Sequence, residues 1–301
     1  MINGIILINK PQDFTSFDVI AKMRGILKQK KLGHSGTLDP MATGVLPVFA
    51  GSAAKAISIM PKKGKSYTAG FKFGIKTDTY DITGKVTEQS DKTISREMLD
   101  SIIIRFEGNI KQLPPMYSAV KVGGKRLYEL ARKGIETERP EREVVIKSLV
   151  IKEFDEQTQE GVFDIECSQG TYVRSIIYDI GEALGCGGVM TSLVRTRSDG
   201  FELCDCITLE ELEELRDKDE VQSRVMPCER LFDELPEICF DEKQTFLYKN
   251  GVKLPLAAKW KNEGSELFRA KGFDGEFIGI AKADRDAGIL RVCKNLSGDR
   301  K

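Results

Sequence analysis

An α+β chain with a separate, strand-rich C-terminal piece is predicted from three observations. Segments whose apolar residues recur every second position are interspersed with segments of helical period. Gly, Asn, Asp and Pro punctuate the strand-like runs, as turns require. Beyond Pro236 the pattern changes to short apolar runs separated by Asn250-Gly251, Gly272, Asp274-Gly275 and Gly288, which predicts a small β-barrel or sandwich. The chain has 301 residues, 41% of them hydrophobic, which suits about two domains and enough apolar surface to offset chain entropy.

The elements follow in order. Residues 4–8 (GIILI) read as a buried strand, with no basic region before it of the kind a signal peptide carries. Ser16 is the expected cap of a helix in which Val19, Ile20, Met23, Ile26 and Leu27 share a face. The opposite face shows Lys22, Arg24 and Lys28, with Lys30 and Lys31 just beyond. Residues 32–47 are expected to be a Gly-rich loop leading into a short helix. Residues 66–76 and 144–154 alternate and predict strands, with a helix over 93–106 starting near Ser95. Residues 108–140, rich in Gly, Pro, Lys and Arg, read as a long excursion from the core, and such loops are usually functional or disordered. A strand over 161–168 and a turn at Gln169-Gly170 precede a helix with Val173, Ile176, Ile177, Ile180 and Leu184 on one face. The acidic stretch 208–220 predicts a solvated helix, and Pro236 a linker.

The chain holds 46 basic and 46 acidic residues, but they are not mixed evenly. Residues 1–76 carry 12 Lys and Arg against 3 Asp and Glu, a net +9, while residues 199–243 carry a net −11. Such polarity predicts one phosphate-facing surface near the N-terminal end and an acidic surface turned away from it. No apolar run approaches the ~18 residues of a membrane-spanning helix. Zinc is disfavoured: Cys204 and Cys206 stand without a second ligand pair, and His34 is the sole histidine. The seven cysteines are expected as reduced thiols of a cytoplasmic protein. Lys63-Gly64-Lys65-Ser66 has the tail of a phosphate loop, but Ile59 stands where its first glycine belongs. Gly185-Cys186-Gly187-Gly188 follows a helix and meets Met190 where a dinucleotide turn needs a third glycine.

The segment Gly33-His34-Ser35-Gly36-Thr37-Leu38-Asp39-Pro40-Met41-Ala42-Thr43-Gly44-Val45-Leu46 is a glycine-rich turn that presents one carboxylate. Asp39-Pro40 alone reads as a helix cap followed by a first-turn proline. Tyr67 alone reads as a strand aromatic and Arg174 as a surface residue of a helix's first turn. The whole string resembles the catalytic motif of the TruB family of tRNA pseudouridine-55 synthases, G-H-x-G-x-L-D-P-x-A-T-G-x-L. Other landmarks resemble that family's in its order: Asn9-Lys10-Pro11, Lys65-Ser66-Tyr67, and Thr77-Asp78-Thr79-Tyr80-Asp81. The stretch from Pro114 to Lys121, continued by Gly124, Tyr128, Ala131, Arg132 and Gly134, resembles its RNA-gripping insertion. Gly170-Thr171-Tyr172-Val173-Arg174-Ser175 and Leu193-Val194-Arg195-Thr196 complete the set, which covers residues 4–201. Tyr80 stands where the family often has a small or acidic residue. From residue 237 the similarity is looser, to small PUA-like RNA-binding domains.

The resemblance implies a mixed, largely antiparallel sheet core with flanking helices over residues 1–235, an RNA-gripping insertion at about 108–140, and a small β-rich PUA-like domain over 236–301. It implies an isomerase that breaks the N1–C1′ bond of a T-loop uridine of tRNA and rejoins the base through C5, with no metal or organic cofactor. Asp39 would be the essential carboxylate, by attack at C1′, addition at C6, or removal of the 2′ proton. Arg174 would pair with it, Tyr67 would stack on the base and serve proton transfer, and Tyr172 and Leu193 would wall the pocket. His34 would act in base flipping, by filling the vacated place or contacting the flipped backbone. Lys10 would hold the pocket or a nearby phosphate. Lys30, Lys31, Lys63 and Lys65 are expected on the RNA face, with Lys121, Arg126, Tyr128 and Arg132 in the insertion. The expected partner is the tRNA T-arm, met by a monomer with no obligatory protein partner and no membrane, and a tRNA-folding role accompanies catalysis. Two rivals stand beside this reading: a non-catalytic RNA binder on the same scaffold, which would not need Asp39, and a guide-RNA-directed member of the family. The chain begins eight residues before Asn9, which favours the stand-alone bacterial type.

Overall fold

The computed structural model describes residues 1–135, 137–257, 260 and 264–298; Glu136 of the expected insertion and the last three residues of the expected C-terminal domain lie outside them. The elements begin with β1 (Gly4–Lys10), α1 (Ser16–Leu27), β2 (Leu32–His34), β3 (Thr43–Ala50), β4 (Lys65–Phe73), β5 (Ile75–Thr77), β6 (Val86–Gln89) and α2 (Arg96–Ile103). Next come β7 (Gly108–Gln112), β8 (Lys121–Val122), β9 (Lys125–Arg126), α3 (Leu127–Ala131), β10 (Arg142–Asp155), β11 (Glu160–Cys167), α4 (Val173–Leu184), β12 (Gly188–Ser198) and β13 (Phe201–Glu202). The last are α5 (Leu209–Asp217), β14 (Glu237–Cys239), α6 (Glu242–Lys249), β15 (Leu254–Pro255), β16 (Leu267–Lys271), β17 (Phe277–Asp284) and β18 (Ile289–Asn295). None of the described helices is long and apolar enough to cross a membrane. They gather in two compact units, one formed by residues 1–40, 46–61 and 204–301, the other by 41–45 and 62–203.

In the first unit, α1 buries Val19, Ile20, Met23 and Ile26 against Ile6 and Ile8 of β1 and Leu209 and Leu212 of α5. Its cap is Thr15 rather than Ser16: the Thr15 hydroxyl accepts from the Asp18 amide and the Asp18 carboxylate accepts from Thr15 N–H, a capping box. That frees the Ser16 hydroxyl for another use. The short helix expected after the Gly-rich loop is instead β3, followed by a 3-10 turn at Gly51–Ser58. The run Val45-Leu46-Pro47-Val48-Phe49 is buried on both faces, and periodicity cannot separate such a strand from a buried helix. The acidic helix is α5, and its Glu213 meets Lys22 of α1 at 2.7 Å. The C-terminal strands form a five-stranded sheet in the order β14-β16-β17-β18-β15 over a core that includes Ile238, Tyr248, Phe268 and Ile278. Residues just after Pro236 enter that sheet as β14, parallel to β16. The helix α6 carries no signal in the sequence, because only Thr245 and Tyr248 of its eight residues are buried and no apolar stripe marks it.

In the second unit the strands run in the order β12-β4-β11-β10-β7, each antiparallel to its neighbours. The first residues of β3 add a parallel pairing, Thr43 with Val194 and Gly44 with Arg195. The sheet is thus mixed and largely antiparallel, as predicted. Phe71 and Phe163 stack at 4.1 Å in its core, and α4 packs on β12 and α2. Residues 108–112 are a sheet strand in register with β10, so the excursion starts after Gln112, later than the composition implied.

Candidate active site

Asp39 lies in the first unit on an irregular loop between β2 and β3, half-buried. It caps no helix: Pro40 and Met41 turn directly toward β3. The backbone on both sides of Asp39 is tied to the start of the chain. Lys10, fully buried at the end of β1, donates its ammonium to the carbonyls of Pro11 (2.8 Å), Phe14 and Pro40 (3.1 Å). Asp13 N–H also donates to Pro40 O at 2.9 Å. Ser16 Oγ accepts the Leu38 amide at 2.9 Å and donates to the Leu38 carbonyl at 3.3 Å. Lys10 is therefore a strap beneath the loop rather than a solvent-facing cation. His34 ends β2 opposite Val48. Ser16→Ala leaves the buried Leu38 amide without its acceptor, at a cost of about 1–2 kcal/mol. A urea melt should show that loss, with a fall in turnover because the loop on which Asp39 sits loosens.

In the second unit, Tyr67 is buried on β4, in register with Ile165 of β11 and Arg195 of β12. Leu193, two residues along β12 from Arg195, stands opposite Ala69. Because strand side chains alternate, Tyr67, Leu193 and Arg195 share one face. The Arg195 guanidinium is fully buried and donates to Val45 O at 2.8 Å. Gly44, at φ +106, lies so close to Arg195 that a β-carbon there would sit 2.3 Å from its carbonyl, which is why that position of the motif is glycine.

Arg174 is not a surface residue. It lies in the first turn of α4 with its side chain 5% exposed, and Asp81 facing it is 7% exposed. Its Nη1 meets Asp81 Oδ2 at 3.4 Å and donates to Thr79 O at 3.0 Å, while Nη2 donates to Tyr117 O at 3.0 Å. The other Asp81 oxygen accepts from the Thr79 hydroxyl, the Thr83 amide and the Thr83 hydroxyl. Tyr172 immediately precedes α4, and the buried Gln112 amide clasps its backbone, accepting from N–H at 2.7 Å and donating to C=O at 3.0 Å. Ser175 Oγ donates to Leu113 O, so the start of α4 and the base of the insertion are knit together. Neither Asp81 nor Gln112 was singled out from the sequence. Asp81 closes a recognised motif, whereas nothing marks Gln112 in advance.

Of the residues expected to face RNA, Lys30, Lys63, Lys121, Arg126 and Arg132 are exposed, and Lys31 and Tyr128 half-buried. Tyr128 is flanked by the guanidinium groups of Arg126 and Arg132, 5.8 and 5.4 Å from its ring centre. Lys65 is the exception. It sits on the same inward face of β4 as Tyr67 and is buried, so it cannot serve as an open phosphate contact. Burial, aided by the nearby Arg195 charge, lowers its ammonium pKa from 10.5 to about 8, against the pull of Asp199. An unfolded chain holds this proton up to pH 10.5, so the penalty for burying the charge is complete below pH 8 and is relieved between pH 8 and 10.5. Lys65→Met should therefore be more stable than wild type at pH 7, by about 1–3 kcal/mol. The difference should shrink between denaturation curves taken at pH 7 and pH 10.

Residues 24–173 match the family model of the TruB family pseudouridylate synthase (N terminal domain), and residues 174–233 that of the tRNA pseudouridylate synthase B C-terminal domain. The chain is 43% identical over 288 residues to tRNA pseudouridine synthase B of Clostridium tetani, covering 94% of this chain and 96% of that protein. It is 41% identical over 271 residues to tRNA pseudouridine synthase B of Bacillus pumilus, covering 88% of each. Among solved structures it resembles a chain of a Cbf5-Nop10-Gar1 complex, with a TM-score of 0.72 and 26% identity, over 98% of this chain and 85% of that one.

Proposed function

The chain belongs to the TruB family of pseudouridylate synthases, isomerases that modify RNA, and from that premise we propose that it converts the uridine at position 55 of the tRNA T-loop to pseudouridine, with Asp39 as the essential carboxylate. The reaction breaks the N1–C1′ bond, rotates the uracil, forms C5–C1′, gives up the C5 proton to solvent and takes up a proton at N1, so nothing is gained or lost overall. The observation that best supports Asp39 is how its neighbours are held: Leu38 and Pro40 are hydrogen-bonded from Lys10, Asp13 and Ser16. A carboxylate on a backbone fixed in advance meets the reacting sugar or base at little entropic cost.

In this reading Arg174 keeps Asp39 ionised and oriented, Tyr67 stacks on the uracil and serves the proton at C5, and Tyr172 and Leu193 complete the pocket wall. His34 assists extrusion of the base, which costs a few kcal/mol of stacking. Tyr128, with two guanidinium groups 5.8 and 5.4 Å from its ring centre, equips the insertion for RNA backbone and base contacts. The protein acts as a cytoplasmic monomer on the T-arm, with residues 1–235 as the catalytic domain and 236–301 as an RNA-binding one.

Tritium release from a tRNA transcript labelled at uracil C5 tests the reading. Release should occur with wild-type transcript and vanish when U55 alone is replaced by C; release that survives the replacement assigns another uridine. Binding should weaken as salt rises despite a formal net charge of zero, because basic residues 1–76 displace counterions from phosphate. With about three to five phosphates neutralised, affinity should fall roughly 30- to 500-fold between 50 and 200 mM salt. Titrations with an affinity independent of salt would count against that surface.

A further inference from the structure

We propose that the stacked pair Tyr80 and Tyr178 is a positioning clamp that sets the Arg174 guanidinium; this rests on Arg174 acting in the reaction proposed above. The α4 residues Arg174, Tyr178 and Glu182 follow one another at every fourth position and so form a single stripe along the helix. Each meets the β5–β6 hairpin or its turn. Glu182 pairs with Lys76 at 2.6 Å, and Lys76 also reaches Glu88 at 3.0 Å. Tyr178 stacks on Tyr80 with ring centres 3.9 Å apart and planes 20° apart. Arg174 meets Asp81 and the Thr79 carbonyl. These two partners adjoin Tyr80 in sequence.

The middle contact is made by a strained residue. Tyr80 has φ +65, a left-handed conformation that an aromatic residue adopts only where its surroundings dictate it. The turn is fixed around it: Tyr80 O accepts from the Met190 amide, Ile82 N–H donates to Met190 O, and Thr77 Oγ1 donates to Asp81 O. Glycine would satisfy that backbone without strain. What glycine lacks is a ring, and this ring seats on the helix one turn from Arg174. The stack thus couples the axial position of α4 to the turn that supplies both the carboxylate and the carbonyl gripping the guanidinium. A hairpin that merely needed stability has the Lys76–Glu182 pair already.

The test compares wild type, Tyr80→Gly, Tyr80→Phe, Asp81→Asn and the Tyr80→Gly/Asp81→Asn double variant by single-turnover tritium release, tRNA affinity and thermal unfolding. Tyr80→Gly relieves the left-handed strain, so its Tm should stay near wild type while its rate falls roughly ten- to a hundredfold through misplacement of Arg174, with tRNA affinity unchanged. Tyr80→Phe should restore the rate. The double variant should be no slower than Asp81→Asn alone, since both act through one guanidinium. A wild-type rate in Tyr80→Gly, a loss of affinity in place of rate, or losses that multiply in the double variant would each overturn the clamp. Nitrogen-15 spectra of the arginine guanidinium groups, assigned through Arg174→Lys, read the clamp without turnover. The Arg174 signal should shift in Tyr80→Gly and hold in Tyr80→Phe, and an unmoved signal overturns the proposal. An inactive wild type with a shifted signal would instead place the failure in the reading of the reaction.

Discussion

Asp39→Asn should lower the single-turnover rate of pseudouridine formation by about a thousandfold or more, the scale expected when a carboxylate that acts as nucleophile or base is made neutral. The substitution is nearly isosteric, and the ties that hold this loop run through the backbone of Leu38 and Pro40. Stability and tRNA affinity should therefore stay close to wild type, and a tRNA-folding activity should persist. The three routes open to Asp39 all require its charge, so the prediction does not depend on which of them operates. A variant that releases tritium at the wild-type rate would remove Asp39 from the chemistry and leave the non-catalytic binder or another carboxylate to be considered.

Much of this molecule is written in local pattern. The alternation of β4, β10 and β11 and the apolar stripes of α1 and α4 are legible because each buries one face. β3 is not legible because burial on both sides erases its period, and α6 buries too little to show one. The same distinction governs the site. Asp39, Tyr67 and Arg174 stand in strings specific enough to single out, whereas Gln112 and the neighbours that Arg174 takes in the fold come from contacts 57 to 95 residues apart in sequence. Lys65 is the instructive error. Its charge placed it on the RNA surface, but it shares strand parity with Tyr67 and Ala69 and so points inward. Parity along an identified strand outranks side-chain type in deciding which face a residue takes.

Asp81→Ala is the substitution that should cost the fold most. The Arg174 guanidinium is 5% exposed and Asp81 stands against it, so removing the carboxylate takes away a charge that offsets the cost of burying the cation. It also takes the acceptor from the Thr79 hydroxyl and from the amide and hydroxyl of Thr83. The combined loss should be about 3–5 kcal/mol, visible as a fall in the urea midpoint. The consequence for catalysis follows from the same geometry. Arg174 Nη1 is shared between Asp81 and the Thr79 carbonyl, and Nη2 is held by Tyr117; without Asp81 the turn that carries Thr79 loses its internal bonds, and the guanidinium loses its fixed direction. Turnover per folded molecule should then drop roughly a hundredfold, beyond what the unfolded fraction explains. Asp81→Asn keeps an oxygen for the threonines but not the charge, so it should recover part of the stability and little of the rate. If both variants melted near wild type, the buried guanidinium would have to be neutralised by something other than Asp81. If both melted early yet turned over normally once folded, Asp81 would be a prop of the fold with no hold on the chemistry.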